Sequence, residues 1–287
     1  MTSDPDEQRT VSLAFSPCPN DTFVFHAWTH GLIDGAPGTD VTFADVDVTN
    51  TAAEQGQFDV VKVSYAALPW LLDKYRLLPC GGALGRGCGP LVLTNGGGPN
   101  ALQNIDGARV AVPGERTTAY LLMRLWAAGQ SPASIDIVPF ADIMPGVREG
   151  RFDAGLVIHE ARFTYQDYGL VALADLGDWW ESSTGHPIPL GAILARRDSD
   201  RPELDPAHLT DVLRSSVDYA FADPAASSAF VAEHADEMDP DVQKQHIALY
   251  VNEFSRSLGD EGYAAVEDLL GRAHAAGLVP AVPELRS

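Results

Sequence analysis

Two stretches of the chain, 96 residues apart, repeat one plan: a short apolar run, a proline, a polar turn and a helical run. In the first, Val11-Ser12-Leu13-Ala14-Phe15 is broken by Ser16-Pro17-Cys18-Pro19-Asn20-Asp21-Thr22, and Phe23 to His30 reads as helix. The closely spaced prolines end the strand, because proline lacks the N–H that a central strand needs. In the second, Ala108-Arg109-Val110-Ala111-Val112 runs into Pro113-Gly114-Glu115-Arg116-Thr117-Thr118-Ala119-Tyr120, with Pro113 falling on Pro17 and Thr118 on Thr22. A further pair follows at an offset of 94: Gly56-Gln57-Phe58-Asp59 opens the strand Val60 to Ser64, and Gly150-Arg151-Phe152-Asp153 opens Ala154 to Ile158, which ends at His159. Two similar offsets in the same order predict two related α/β lobes.

The alternation of apolar and helical runs implies parallel βαβ units. Strands are expected at 11–15, 41–46, 59–63 and 90–94, with helices at 22–31, 50–56 and 65–74. The glycines from Gly81 to Gly89 interrupt any regular pattern and read as a tight loop that lets backbones pack closely. Gly96-Gly97-Gly98-Pro99 marks a lobe boundary. The first lobe is therefore expected over 1–94 together with 195–287, and the second over 95–194. The second holds strands near 108–112, 135–138 and 154–158 and helices near 117–128 and 142–149. Gly191 to Ala195 is an apolar run that can return the chain to the first lobe, and 203–276 reads as helices separated by Asp223-Pro224, Asp239-Pro240 and Gly259-Asp260. Two crossings leave a central inter-lobe cleft, a usual place for a small ligand.

Charge narrows the partners. The 287 residues include 40 acidic and 19 basic ones, a net charge of −21, which argues against nucleic acid and against an anionic membrane surface. Lys62, Lys74 and Lys244 are the only lysines. An evenly acidic, lysine-poor surface fits a salt-rich cytosol, where counterions screen its self-repulsion. The thermal midpoint is expected to rise across a salt series, and equal midpoints at low and molar salt would remove that reading. Hydrophobic residues make up 45% of the chain, enough for a full core. Met1 to Thr10 is polar and acidic, unlike a secretory signal, so a cytoplasmic protein is expected. Cys18, Cys80 and Cys88 have no metal-like spacing and read as buried free thiols.

Polar groups gather at four strand ends: Ser16 to Thr22, Ser64, Thr117 with Thr118, and His159. Hydroxyls and helix N-termini there suit an oxygen-rich ligand carrying a carboxylate. Ser16, Asn20, Ser64, Thr117 and Thr118 are the substrate-binding candidates. No Gly-x-Gly-x-x-Gly lies between a strand and a helix and no phosphate loop is present, so no nucleotide cofactor is expected. His159 is the catalytic candidate, since imidazole transfers protons near neutral pH; a structural histidine bonded to backbone carbonyls is the alternative. His26 and His30 have the i, i+4 spacing of some metal ligands but lack a third, and no metal is expected. Cys18 at a helix start is either a nucleophile or, better supported, a buried thiol. Trp179-Trp180 and Tyr165 either wall a site or pack, and Arg86 and Arg162 either clamp a carboxylate or form ion pairs.

The motifs Ser16 to Phe23 (SPCPNDTF), Lys62-Val63-Ser64-Tyr65-Ala66, Gly81 to Pro90 (GGALGRGCGP), Val112-Pro113-Gly114 with Thr117-Thr118-Ala119-Tyr120, and Ile158 to Tyr165 (IHEARFTY) closely resemble the 1,4-dihydroxy-6-naphthoate synthases of the futalosine route to menaquinone. Gly191 to Arg197 and Tyr250-Val251-Asn252 are similar to the same family, and the likeness runs over about 11–276. The resemblance implies an α/β, two-lobed, periplasmic-binding-protein-like (type II) fold. It implies a carbon–carbon lyase that converts cyclic dehypoxanthine futalosine to 1,4-dihydroxy-6-naphthoate without metal or redox cofactor. The family's proposed general base falls on His159, and its ligand-binding turns fall on Ser64, Thr117 and Thr118. Two rival readings stand beside it. A solute-binding protein or cytosolic carboxylate sensor would share the fold and would bind without turnover. Chorismate dehydratase, a sibling of related fold, lacks the Ser16 to Phe23 motif.

Overall fold

The computed structural model describes residues 10–96, 102–159, 161–197, 200–235 and 239–286. Gly97, Gly98, Pro99 and Glu160, named above, lie outside the described residues, as does the chain before Thr10. Among the described residues, ten strands form two five-stranded sheets. The first runs in the order β2 (Thr39–Phe43), β1 (Val11–Phe15), β3 (Val60–Ser64), β10 (Ile188–Arg196), β4 (Tyr75–Gly85). The second runs β7 (Ser134–Ile137), β6 (Arg109–Val112), β8 (Ala154–Val157), β5 (Leu91–Thr94), β9 (Val171–Asp175). In both, the first three strands are parallel and the fourth is antiparallel to each of its neighbours. The internal repeat is thus a repeat of topology: β1, β2 and β3 correspond to β6, β7 and β8.

The fourth strand of each sheet arrives from the other lobe. β5 follows β4 directly in sequence yet pairs with β8 and β9, and β10 follows the second lobe yet pairs with β3 and β4. The sheets therefore exchange chain at Arg86–Pro90 and again just before Ile188, so residues 91–94 pair within the second sheet and 188–194 within the first. Hydrogen bonding thus divides the chain one strand earlier, at each crossing, than composition does.

The helices are α1 (Pro19–Thr29), α2 (Val46–Glu54), α3 (Thr118–Trp126), α4 (Phe140–Arg148), α5 (Ala161–Thr164), α6 (Leu176–Thr184), α7 (Pro206–Ala222), α8 (Ser228–His234), α9 (Pro240–Tyr250), α10 (Glu253–Arg256) and α11 (Gly259–Ala275). Their starts follow capping chemistry. Thr117 accepts from the Tyr120 N–H, Asp205 precedes Pro206 and accepts from His208, and Asp239 precedes Pro240 and accepts from Asp241. α1 is unusual in being buried over ten of its eleven residues, because α7, α8 and α9 pack around it. Its first turn therefore carries Asn20, Asp21 and Thr22 into the interior. One large apolar cluster runs from Val61 and Leu194 in the first sheet to Val110 and Leu156 in the second, with Leu269 of α11 in the same cluster.

Two expectations change. The run 65–74 is a short 3-10 segment, Tyr65–Trp70, followed by turns, because Pro69 has no N–H with which to continue a helix. The run Gly81 to Gly85 is not a loop but the second half of β4, paired irregularly with β10. Close backbone approach explains its glycines: a Cβ on Gly82 would sit 2.7 Å from the Gly191 carbonyl oxygen. Farther along, a Cβ on Gly89 would lie 2.1 Å from the Gly177 nitrogen, closing the crossover onto α6. Gly89→Ala is therefore expected to cost about 1–3 kcal/mol of stability, the usual range for overpacking. A urea titration showing an unchanged midpoint would contradict that close approach.

Candidate functional site

The turns after β1, β3, β6 and β8 converge between the sheets, at the carboxyl ends of parallel strands where open α/β sheets take ligands. They form one shared cavity. Ser16, Asn20, Ser64, Thr117, Thr118 and His159, all six residues singled out from the sequence, line it. Asp21, which belongs to the polar turn Ser16 to Thr22 named above, lines it too, as do Lys62, His246 and Tyr250, which were not among the site candidates.

His159 follows β8 and is the only non-glycine with positive φ among the described residues, at 55°. Such a backbone costs about 1–3 kcal/mol and collects at functional sites, where the surroundings hold it. Its Nδ1 lies 3.4 Å from the Cys18 sulfur, a contact reaching from the second lobe to the first. The ring meets Phe140 edge to face at 5.7 Å and lies within 6° of parallel to His246 at 6.2 Å.

The first-lobe side of the cavity is a buried polar chain. Lys62 stands between the valines of β3, and its ammonium is paired with Asp21, the two side chains being 6% and 4% exposed. Asp21 also accepts from Ser16 Oγ at 2.7 Å and from Asn20 Nδ2 at 2.7 Å. Asn20 Oδ1 faces His246 Nε2 at 2.9 Å. Ser16 and Asn20 thus spend polar capacity on holding Asp21 and His246. Burial, with His159 and then Lys62 nearby, keeps the His246 pKa well below its ordinary value of 6.5.

The opposite side is set by a different economy of hydrogen bonds. Thr117 Oγ1 donates to Gly114 O at 2.8 Å and accepts from the Tyr120 N–H, capping α3. Thr118 Oγ1 donates to Leu190 O at 2.8 Å and accepts from the Ala66 N–H, tying α3 to the first lobe. Both hydroxyls are already engaged, so what α3 offers a ligand is the N–H groups of its first turn and its positive dipole end. Ser64 differs: its Oγ accepts from Asn50 Nδ2 at 3.2 Å, which leaves the hydroxyl hydrogen to donate.

Of the remaining candidates, Cys88 also lines the cavity and the others lie elsewhere. Cys80 and Cys88 are buried, and burial pushes each thiol up to about 12. The His26 and His30 rings lie 4.5 Å apart, tilted by 36°, beside Phe230, and among the described residues no group of three metal-ligand side chains occurs. Trp180 is a core residue whose indole N–H donates to Pro187 O. Arg162 binds Gly89 O and Asp175, and Arg86 pairs with Glu261, so both arginines pin the crossover region. Among the described residues no helix is long and apolar enough to cross a membrane.

Residues 11–275 match the menaquinone biosynthesis family. The chain belongs to that family. Within it, a 1,4-dihydroxy-6-naphthoate synthase from Streptomyces coelicolor is 60% identical over 276 residues, 95% of this chain and 96% of the relative. A synthase of the same name from Thermus thermophilus is 46% identical over 273 residues, 95% of this chain and 97% of the relative. Among solved structures, a protein from Archaeoglobus fulgidus superposes with a TM-score of 0.85 at 32% identity, covering 94% of this chain and 98% of that one. A Candida albicans protein described as having the generic periplasmic binding protein fold gives a TM-score of 0.71 over 96% of this chain and 93% of its own. Its identity is 13%, so that likeness speaks to fold alone. The family's periplasmic-binding-protein-like fold, expected from the motifs, is the fold observed.

Proposed function

We propose that this chain is the carbon–carbon lyase that forms 1,4-dihydroxy-6-naphthoate from cyclic dehypoxanthine futalosine, acting in the cytoplasm. The observation that carries the reading is 60% identity over 95% of the chain to a relative bearing that name. It is supported by a histidine in a strained conformation directly after β8, inside the cavity that the strand-end turns form.

The geometry supports a division of labour. His159 takes the proton made acidic by a neighbouring carbonyl; Cys18 beside Nδ1 steadies the ring and leaves Nε2 to face the substrate. The α3 N-terminus at Thr117 and Thr118 receives the carboxylate through backbone N–H groups, and Ser64 donates to a substrate oxygen. Ser16 and Asn20 act from behind, by fixing Asp21 and His246. Carbon–carbon cleavage then expels the sugar-derived fragment, and aromatisation of the second ring drives the step. Because the walls come from both lobes, closure excludes water.

The test is direct. Purified protein in high salt is mixed with cyclic dehypoxanthine futalosine, and the naphthoate is followed by absorbance and mass. Product formation bears out the reading. Tight binding with no product, in protein shown to be folded, overturns it in favour of a sensor of the same fold.

A further inference from the structure

His246 belongs to α9, 226 residues from its partner Asn20, and faces the cavity from the lobe opposite His159. Its hydrogen-bonding state follows from its neighbours. Asp21, paired with Lys62, is a carboxylate that can only accept, so the Asn20 amide must turn its Nδ2 toward it. The Asn20 oxygen is then the atom 2.9 Å from His246 Nε2. Two acceptors cannot share that contact, so Nε2 carries the proton. A second proton on the ring is opposed by burial and by the charged or chargeable groups that face it, His159 and Lys62. Asn20 and Asp21 on α1, Tyr250 on α9 and the Phe163 ring on α5 also surround it. The imidazole is thus neutral, with Nε2–H committed to Asn20 and the lone pair on Nδ1.

We propose that His246 is a specificity-determining residue whose Nδ1 accepts a hydrogen bond from a hydroxyl group of the ligand. The inference rests on reading the cavity as a dihydroxynaphthoate site. A lone pair repels a carboxylate or carbonyl oxygen, so this end of the cavity rejects the acid group. The ligand is oriented with its hydroxyl-bearing ring toward α9 and its carboxylate toward α3.

Two probes isolate the hydroxyls: 1,4-dihydroxy-6-naphthoate, and 2-naphthoate, which has the same rings and carboxylate without them. Both are titrated anaerobically into the full chain by calorimetry. Wild type is expected to prefer the dihydroxy compound. His246→Phe, which keeps a ring in place, is expected to lower that preference about tenfold, the effect of one neutral hydrogen bond, and His159→Asn is expected to leave it unchanged. An unchanged preference in folded His246→Phe overturns the assignment. If that variant does not fold, nitrogen-15 spectra of histidine-labelled wild type decide. Nδ1 should be unprotonated and should shift with the dihydroxy ligand but not with 2-naphthoate; a protonated or unmoved Nδ1 overturns the inference. Failure of both compounds to bind wild type would sink the reading of the cavity itself, a result distinct from binding without hydroxyl preference.

Discussion

His159→Asn is expected to lower kcat by about 10²–10⁴-fold, the range for a lost general base, while naphthoate affinity changes by less than about threefold, as expected for a group that acts mainly in the transition state. Asparagine is the right replacement for a physical reason. The residue sits at φ 55°, in the left-handed region that asparagine tolerates better than other side chains with a Cβ. The turn after β8 should therefore keep its shape, and the variant loses the imidazole alone. Alanine would add backbone strain and confuse the two effects. Single-turnover kinetics with product analysis measures the loss, and calorimetry with the naphthoate measures binding. A variant that turns over at the wild-type rate would take His159 out of the mechanism. One that loses kcat and affinity together would place it in ligand binding instead.

The second large effect is on stability. Lys62→Met is expected to destabilise the fold by about 3–5 kcal/mol, the cost of leaving a buried charge without its partner. Both members of the Lys62–Asp21 pair are nearly inaccessible, so water replaces the lost ammonium poorly. The lower end of the range is favoured because Ser16 and Asn20 still donate to the carboxylate. The double variant Lys62→Met with Asp21→Asn should recover part of the loss, because no lone charge then remains. Urea titrations of the single and double variants form the required cycle. A double variant no more stable than Lys62→Met would mean that the pair's packing, not its charge, supports the first lobe.

Much of the frame could be read from residues alone. Proline-ended apolar runs at Pro17 and Pro113 gave both lobes, and the strand ends they marked do meet in one cavity. What escaped was long-range. β4 was hidden because its glycines serve contact with β10, over a hundred residues later, and glycine in a strand looks locally like a break. His246 carries no local mark at all: its place in the cavity depends on how α9 packs on α1. Lys62 was the signal that could have been followed. It is one of three lysines in the chain, set between the valines of β3. A charge there demands a buried partner, and Asp21 in the first turn of a buried helix is what the fold supplies. The engaged hydroxyls of Thr117 and Thr118 mark the opposite limit, since sequence names a polar residue without saying which of its bonds are already spent.

The strand exchange between the sheets also bears on how the chain is born. Read from the N-terminus, β1 to β4 emerge first, but the slot between β3 and β4 belongs to β10, which ends at Arg196. The second sheet has all its strands once Asp175 has emerged. On the ribosome, therefore, the lobe begun second is the first that can finish, and for the whole of its synthesis the earlier strands wait with two ladder edges unmet. A nascent chain stalled anywhere between Asp175 and Ile188 would hold one finished sheet and one open one.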